Sequence, residues 1–264
     1  MKTVGIIGGI GPESTIEYYR QIIAAYRERQ SGTGVRGPQR GSPAGVLVPP
    51  VNHSQDARAT KTDGSYPSIT INSVDLNRLL AWVGANELDA ITDYLVSEIE
   101  RLARAGADFG AIAANTPHIV FDEIRRRSLM PLISIVEATC DAAHALGFKR
   151  VALFGTRFTM QGRFFPYVFS KDGITIVVPQ EDEQAYIHET YIKEMLNNIF
   201  LPERREGLLA IVDRMKARDS IAAVILGGTE LPLLLRDPQH NGVPFLDTTK
   251  IHVARIVAEL VSSW

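Results

Sequence analysis

The sequence predicts an α/β fold: two similar halves, each a parallel sheet covered by helices on both faces, meeting at a central cleft. Three observations carry this. Short, continuously apolar runs alternate with amphipathic segments, as expected of strands buried on both faces and joined by helical crossovers. Each apolar run breaks on Gly, Asn or Thr just before a helix-like pattern begins. The closing parts of the halves also repeat. Ala113–Thr116 and Gly227–Thr229 each end an apolar strand and are each followed by a Pro-led strand, with 114 residues from Ala114 to Gly228 and 113 from Pro131 to Pro244.

The elements follow in order. "TVGIIGG" (3–9) reads as a buried strand that breaks on glycines, and "PESTIEYYRQIIAAYRERQ" (12–30) as a helix with Pro12 at its first position and Glu13 in its first turn. "DGSYPSITINSVD" (63–75) resumes as a strand, and "DAITDYLVSEIERLARAG" (89–106) as a helix closed by Gly106. "FGAIAAN" (109–115) leads into the helix-like "TPHIVFDEIRRR" (116–127), and "PLISIV" (131–136) into "EATCDAAHALG" (137–147). In the second half "RVALFGT" (150–156) precedes "FTMQGRFFPYVF" (158–169), and "IAAVILGG" (221–228) precedes "TELPLLLR" (229–236). "VPFLD" (243–247) then feeds a last helix, "TTKIHVARIVAELV" (248–261). The opening strands are 147 residues apart, Val4 to Val151, which is 33 more than the spacing of the later motifs. The first half therefore carries an insertion, and the Gly-, Pro- and Ser-rich segment 31–62 has the matching length. It reads as a surface loop or arm.

Composition narrows the function. With 28 basic against 30 acidic residues the charge nearly cancels, which argues against a nucleic-acid partner. No run approaches the roughly 20 apolar residues that span a bilayer, and "MKTVGIIGGIG" lacks the pattern of a secretory signal. A single cysteine, Cys140, excludes an intrachain disulfide and suits a reducing cytoplasm. It lies inside the apolar-periodic "VEATCDAAHAL" and reads as a buried helix residue. The six histidines show no paired ligand spacing, so a metal is not expected.

Ligands in such folds sit at the carboxyl ends of the strands. Here those ends are Gly8–Thr15, Asn72–Asp75, Ala114–His118, Gly155–Thr159 and Gly228–Glu230, a set rich in glycine, hydroxyl and amide. Backbone N–H groups at helix starts attract anions, so a small carboxylate is the natural ligand. "GGIGPES" is a poor dinucleotide fingerprint, because Ser14 stands where the third glycine belongs and no strand-end acid follows about 20 residues later. "NTPH" and "GGTELP" each also read as simple helix starts, capped by Thr116 and Thr229. Their equivalent places in the two halves raise them above that reading.

"MKTVGIIGGIGPESTIEYY", "AANTPHIVFDEI", "PLISIVEAT", "LGGTELPLLL" and "PFLDTTKIH" together resemble the aspartate/glutamate racemase family, over nearly the whole chain except 31–62. The resemblance implies two Rossmann-like domains facing a cleft, a homodimer, and cofactor-independent (PLP-independent) racemisation of a small acidic amino acid. It places the first domain at 1–135, completed by the C-terminal helix at about 248–264, and the second at 136–247. In the family a cysteine from each half flanks the substrate α-carbon, one as thiolate base and one as thiol acid. The matching positions here are Ala114 and Gly228, so the two-thiol mechanism is excluded. His118 and Glu230 remain as candidate proton carriers, with Glu230 alternatively taking the ammonium group. Ser14, Thr15, Asn72, Ser73, Asn115, Thr116, Thr156, Arg163 and Thr229 are the expected substrate-binding residues. Four readings stay open on this basis: an isomerase with other proton carriers, a lyase or decarboxylase on a small carboxylate, a non-catalytic amino-acid or dicarboxylate binder, or thiols removed by engineering.

Overall fold

The computed structural model describes residues 2–30 and 66–262. The predicted insertion at 31–62 lies outside them. The first half runs β1 (Thr3–Gly8), α1 (Pro12–Gln30), β2 (Ser68–Ser73), α2 (Leu76–Gly84), α3 (Leu88–Arg104) and β3 (Phe109–Ile112). A 3-10 turn (Thr116–Val120), α4 (Phe121–Arg127), β4 (Leu132–Ile133) and α5 (Ile135–Ala145) follow. The second half runs β5 (Arg150–Gly155), α6 (Arg157–Gln161), α7 (Phe164–Ser170), β6 (Thr175–Val177), α8 (Glu181–Lys193), a 3-10 turn (Met195–Asn197) and α9 (Pro202–Asp219). It closes with β7 (Ala223–Gly227), α10 (Leu231–Leu234), β8 (Gln239–His240), β9 (Val243–Asp247) and α11 (Thr248–Leu260).

The two sheets have orders β2-β1-β3-β4 and β6-β5-β7-β9-β8. Their first four strands correspond one to one, which is the geometric form of the repeat. All pairings are parallel except β8–β9, a short antiparallel pair at the edge that the apolar-run pattern does not show. Alternate residues of each strand serve opposite faces. In the first sheet Val4, Ile6, Phe109 and Ala111 pack on Tyr18, Ile22 and Tyr26 of α1, while Ile7 and Ile112 pack on Leu79, Ile91, Leu95 and Ile99 of α2 and α3. In the second, Val151, Leu153 and Ile225 meet α5 and α7, whereas Phe154, Val224 and Leu226 meet α8 and α9.

Several predicted segments are divided by local chemistry. "TPHIVFDEIRRR" begins as a tight 3-10 turn before α4, and "FTMQGRFFPYVF" breaks into α6 and α7 because Gly162 is extended, at φ −69° and ψ 150°. "TELPLLLR" yields only the single turn α10. α5 starts at Ile135, two residues before the predicted "EATC", because the Ser134 hydroxyl accepts from the Glu137 N–H and caps it.

α11 connects the halves. Its Ile251 enters the second-half core, and Val253, Ile256, Val257 and Leu260 enter the first-half core. His252 sits between them, fully buried. Its Nδ1 accepts from the Tyr18 hydroxyl at 2.9 Å and its Nε2 donates to the Ile133 carbonyl at 3.1 Å, which fixes one neutral tautomer. Burial holds its pKa down at about 4. Because an unfolded histidine titrates near 6.5, the unfolded chain takes up this proton first, and the stabilisation present above that value is lost as pH falls toward 4. Chemical denaturation at pH 7 and pH 5 should therefore show a loss to which His252 contributes about 2 kcal/mol. In His252→Gln that contribution should disappear from the difference between the two pH values.

Candidate active site

The loop after β1 depends on two glycines in the left-handed region, Gly9 at φ +83° and Gly11 at φ +88°. Thr15 Oγ1 accepts from the Gly9 N–H at 2.8 Å and Ser14 Oγ donates to the Gly11 carbonyl at 2.8 Å. Both side chains thus hold the loop in shape instead of standing open to a ligand. Gly11 lies against the other half, since a Cβ there would collide with Glu230 Oε1.

The two strand-end motifs meet at a small cavity of about 40 Å³. Ala114, Asn115 and Thr116 line it from the first half, and Thr156, Gly228 and Thr229 from the second. Contacts across the seam are polar. Asn115 Nδ2 donates to Thr248 Oγ1 at 3.2 Å, and Thr248 Oγ1 donates onward to the Leu226 carbonyl at 2.8 Å. Thr116, Thr156 and Thr159 form a closed ring of hydroxyls 3.1–3.2 Å apart. Asn115 Oδ1, Glu230 Oε1 and Thr249 Oγ1 are buried without a hydrogen-bond partner. Orphaned buried polar atoms are costly, and of these three Asn115 Oδ1 belongs to a residue of the cavity wall. Apart from Tyr191 the remaining wall is mainly aliphatic, from Leu76, Leu79 and Leu80 of α2 to Ile192 and Leu196 near the end of α8. A water takes roughly 10–15 Å³ on this measure, so the cavity holds only a few waters and must widen to admit a larger molecule.

Glu230 is 1% exposed. Its Oε2 accepts from the Thr229 hydroxyl at 2.9 Å and from the Tyr191 hydroxyl in a short contact. Burial, the largest influence, raises its carboxyl pKa against these two donors. The Tyr191 phenol is raised well above its usual value by burial and then by the Glu230 charge. A Cβ on Gly228 would run into the Tyr191 ring and lie 3.1 Å from its hydroxyl. The space that a side chain at 228 would fill is therefore occupied by Tyr191, a residue on α8 to which no sequence motif points.

His118 is placed apart from the proton-carrying role expected of it. Its Nδ1 donates to the Ala114 carbonyl at 3.0 Å, its Nε2 accepts from the Ile135 N–H at 3.3 Å, and its ring stacks on Phe121. Burial lowers its pKa to about 3, so it is a neutral brace with no free nitrogen facing the cavity. Besides Ser14 and Thr15, three more expected binding residues lie off the cavity wall. Asn72 turns to α3 and donates to Glu98 Oε2 at 2.6 Å, and Ser73 lies exposed beside the Gly9 turn. Arg163 lines a separate groove with His118, Phe164 and Tyr167. Cys140 is buried on α5 with its Sγ 3.3 Å from Asp172 Oδ2, and burial pushes its pKa up to about 12.

The profile of the Asp/Glu/Hydantoin racemase family matches residues 52–256. This chain belongs to the Asp/Glu/Hydantoin racemase family. The chain is 21% identical to the broad specificity amino-acid racemase RacX of Bacillus subtilis over 253 residues, 93% of this chain and 92% of that one. It is similar to the crystal structure of an aspartate racemase homologue from Pyrococcus horikoshii, with TM-score 0.72 and 28% identity over the full length of both chains. It shares its fold with a glutamate racemase from Francisella tularensis solved in complex with D-glutamate, with TM-score 0.57, 12% identity, and coverage of 100% of this chain and 84% of that one. Within this racemase-family chain, Ala114 and Gly228 occupy the positions that resemblance gives to cysteines, and only Ala114 presents a side chain of its own.

If Tyr191 fills the place of the side chain at 228, Gly228→Ala should lower stability by about 1–3 kcal/mol through overpacking. Combining it with Tyr191→Leu, which vacates the space, should recover part of that loss in a double-mutant cycle. Full stability of Gly228→Ala alone would show that the ring is not so placed.

Proposed function

We propose that this chain is an amino-acid isomerase of the racemase type, acting at the α-carbon of a small amino acid held between Ala114 and Gly228 without PLP. The observation that carries this reading is the pairing of equivalent strand-end motifs from the two halves around one cavity, with Asn115 Oδ1 of its wall buried and unpartnered. The hydroxyls of Thr116, Thr156 and Thr229 suit a carboxylate, and Asn115 Oδ1 suits an ammonium group. Among the described residues no group of three or more His, Cys, Asp or Glu is placed to hold a metal ion, and no helix is long and apolar enough to cross a membrane. We place the protein in the cytoplasm as a homodimer. Its domains are 1–135 with 248–264, and 136–247, a division supported by α11 packing into the first-half core.

An acidic substrate is the reading that family resemblance favours, and it is supported by the D-glutamate complex of the structural relative. The aliphatic wall from Leu76 to Leu196, without a cationic side chain among the described residues that line it, favours a second reading in which the substrate side chain is apolar. Proton NMR in D2O with D- and L-aspartate, glutamate, leucine and methionine separates the two. Loss of the α-proton signal confirms α-carbon chemistry, and the relative rates identify the side-chain class. No loss with any of the eight, against a boiled control, would remove the isomerase reading.

A further inference from the structure

We propose that Tyr191, backed by Glu230, is the group that transfers the proton on the Gly228 face of the cavity, in the place left by the missing side chain at 228. This rests on the α-carbon reading above. The phenolic oxygen lies 3.1 Å from where a Cβ at 228 would stand, so it occupies the region into which a side chain from that strand end projects. Tyr191 also lines the cavity, and its hydroxyl donates to Glu230 Oε2. The arrangement is a two-step proton path from cavity wall to buried carboxylate.

The step balances as follows. The substrate Cα–H bond breaks and its proton goes to Tyr191 Oη. The phenolic proton passes along the existing hydrogen bond to Glu230 Oε2, and the electron pair left on Cα is delocalised into the substrate carboxyl group. The reverse sequence returns a proton to Cα. A lone tyrosine is a poor base at neutral pH, whereas here the proton finally rests on a carboxylate whose burial raises its affinity for it. Thr229 donates to the same oxygen, and Glu13 is the other charged group acting on Glu230. Gly11 leaves room for the Glu230 head, since a Cβ there would strike Oε1.

The opposite face differs. Ala114 has no proton to give, and both nitrogens of neighbouring His118 are engaged. With a side-chain proton carrier on one face only, return of the proton to that face competes with protonation by water on the other, so exchange of the α-hydrogen with solvent should outrun inversion. Adding a thiol opposite Tyr191 by Ala114→Cys should raise inversion relative to exchange.

The test uses the full chain and the amino acid that exchanges fastest in D2O. Tyr191→Phe keeps the ring that fills the space and removes only the hydroxyl. Exchange should fall about 100-fold or more, while the shift of the melting temperature on adding the same amino acid stays as in the wild type, even though loss of a donor to buried Glu230 lowers the melting temperature itself. Fluorotyrosine at 191, with its more acidic phenol, should move the pH profile of exchange to lower pH, a change that a space-filling role would not produce. Tyr191→Phe that exchanges at the wild-type rate overturns the assignment and leaves the α-carbon reading standing. Wild-type protein that is stabilised by amino acids but exchanges no α-proton overturns both.

Discussion

Helix α11 belongs to both halves of the molecule, and the site exists because of that. Ile251 is committed to one core and Val253, Ile256, Val257 and Leu260 to the other, so neither half completes its packing without the same 13-residue helix. The Tyr18–His252–Ile133 chain of hydrogen bonds adds direction to this packing, because it satisfies a buried imidazole in only one orientation. With α11 fixed, the carboxyl ends of the two sheets face each other. Asn115 then reaches Thr248, Thr116 reaches Thr156 and Thr159, and Gly11 reaches Glu230. The polar seam follows from how the hydrophobic cores are joined.

The seam is built from groups that partly satisfy one another. The threonine ring and the Asn115–Thr248–Leu226 relay are closed, but Asn115 Oδ1, Glu230 Oε1 and Thr249 Oγ1 are left over. A protein interior tolerates few such atoms, and Asn115 Oδ1 belongs to a residue that lines the cavity between the two halves. Glu230 has the strongest electrostatic character of the three. It is deeply buried with no cation among its hydrogen-bond partners, and two hydroxyl donors only partly offset the cost of its charge. Burial therefore makes it hold a proton more tightly than an exposed carboxylate does.

The sequence conveys the fold well and the site unevenly. Continuously apolar runs such as "TVGII" and "AAVIL", alternating with amphipathic segments, point to strands in a sheet covered on both faces, and Pro12 marks the first residue of α1. The repeat at Ala114 and Gly228 also locates the two strand ends that line the cavity. Where the structure places expected site residues away from the cavity, the reason is side-chain direction. Asn72 and Arg163 have suitable chemistry at suitable loop positions, yet packing turns one toward Glu98 and the other into a different groove. His118 reads as a proton carrier because its type permits it, but two backbone partners take up both of its nitrogens. Tyr191 carries no sequence signal for the opposite reason. Nothing local in "HETYIKEM" links it to Gly228, and only the stacking of α8 on β7 brings ring and glycine together. The edge pair β8–β9 is similarly short of signal, being two residues wide on one side.

These observations reduce to one structural claim: an amino acid binds in the seam with its α-carbon between the Ala114 methyl and the Tyr191 hydroxyl. The most direct check is diffraction from crystals grown with the amino acid that most raises the melting temperature. The account predicts ligand density at the junction of the two sheets, its carboxylate near Thr116 and Thr229, its ammonium near Asn115 Oδ1, and α2 moved away from α8 to make room. Density for the same ligand in the groove beside Arg163, with the seam unchanged, would contradict it.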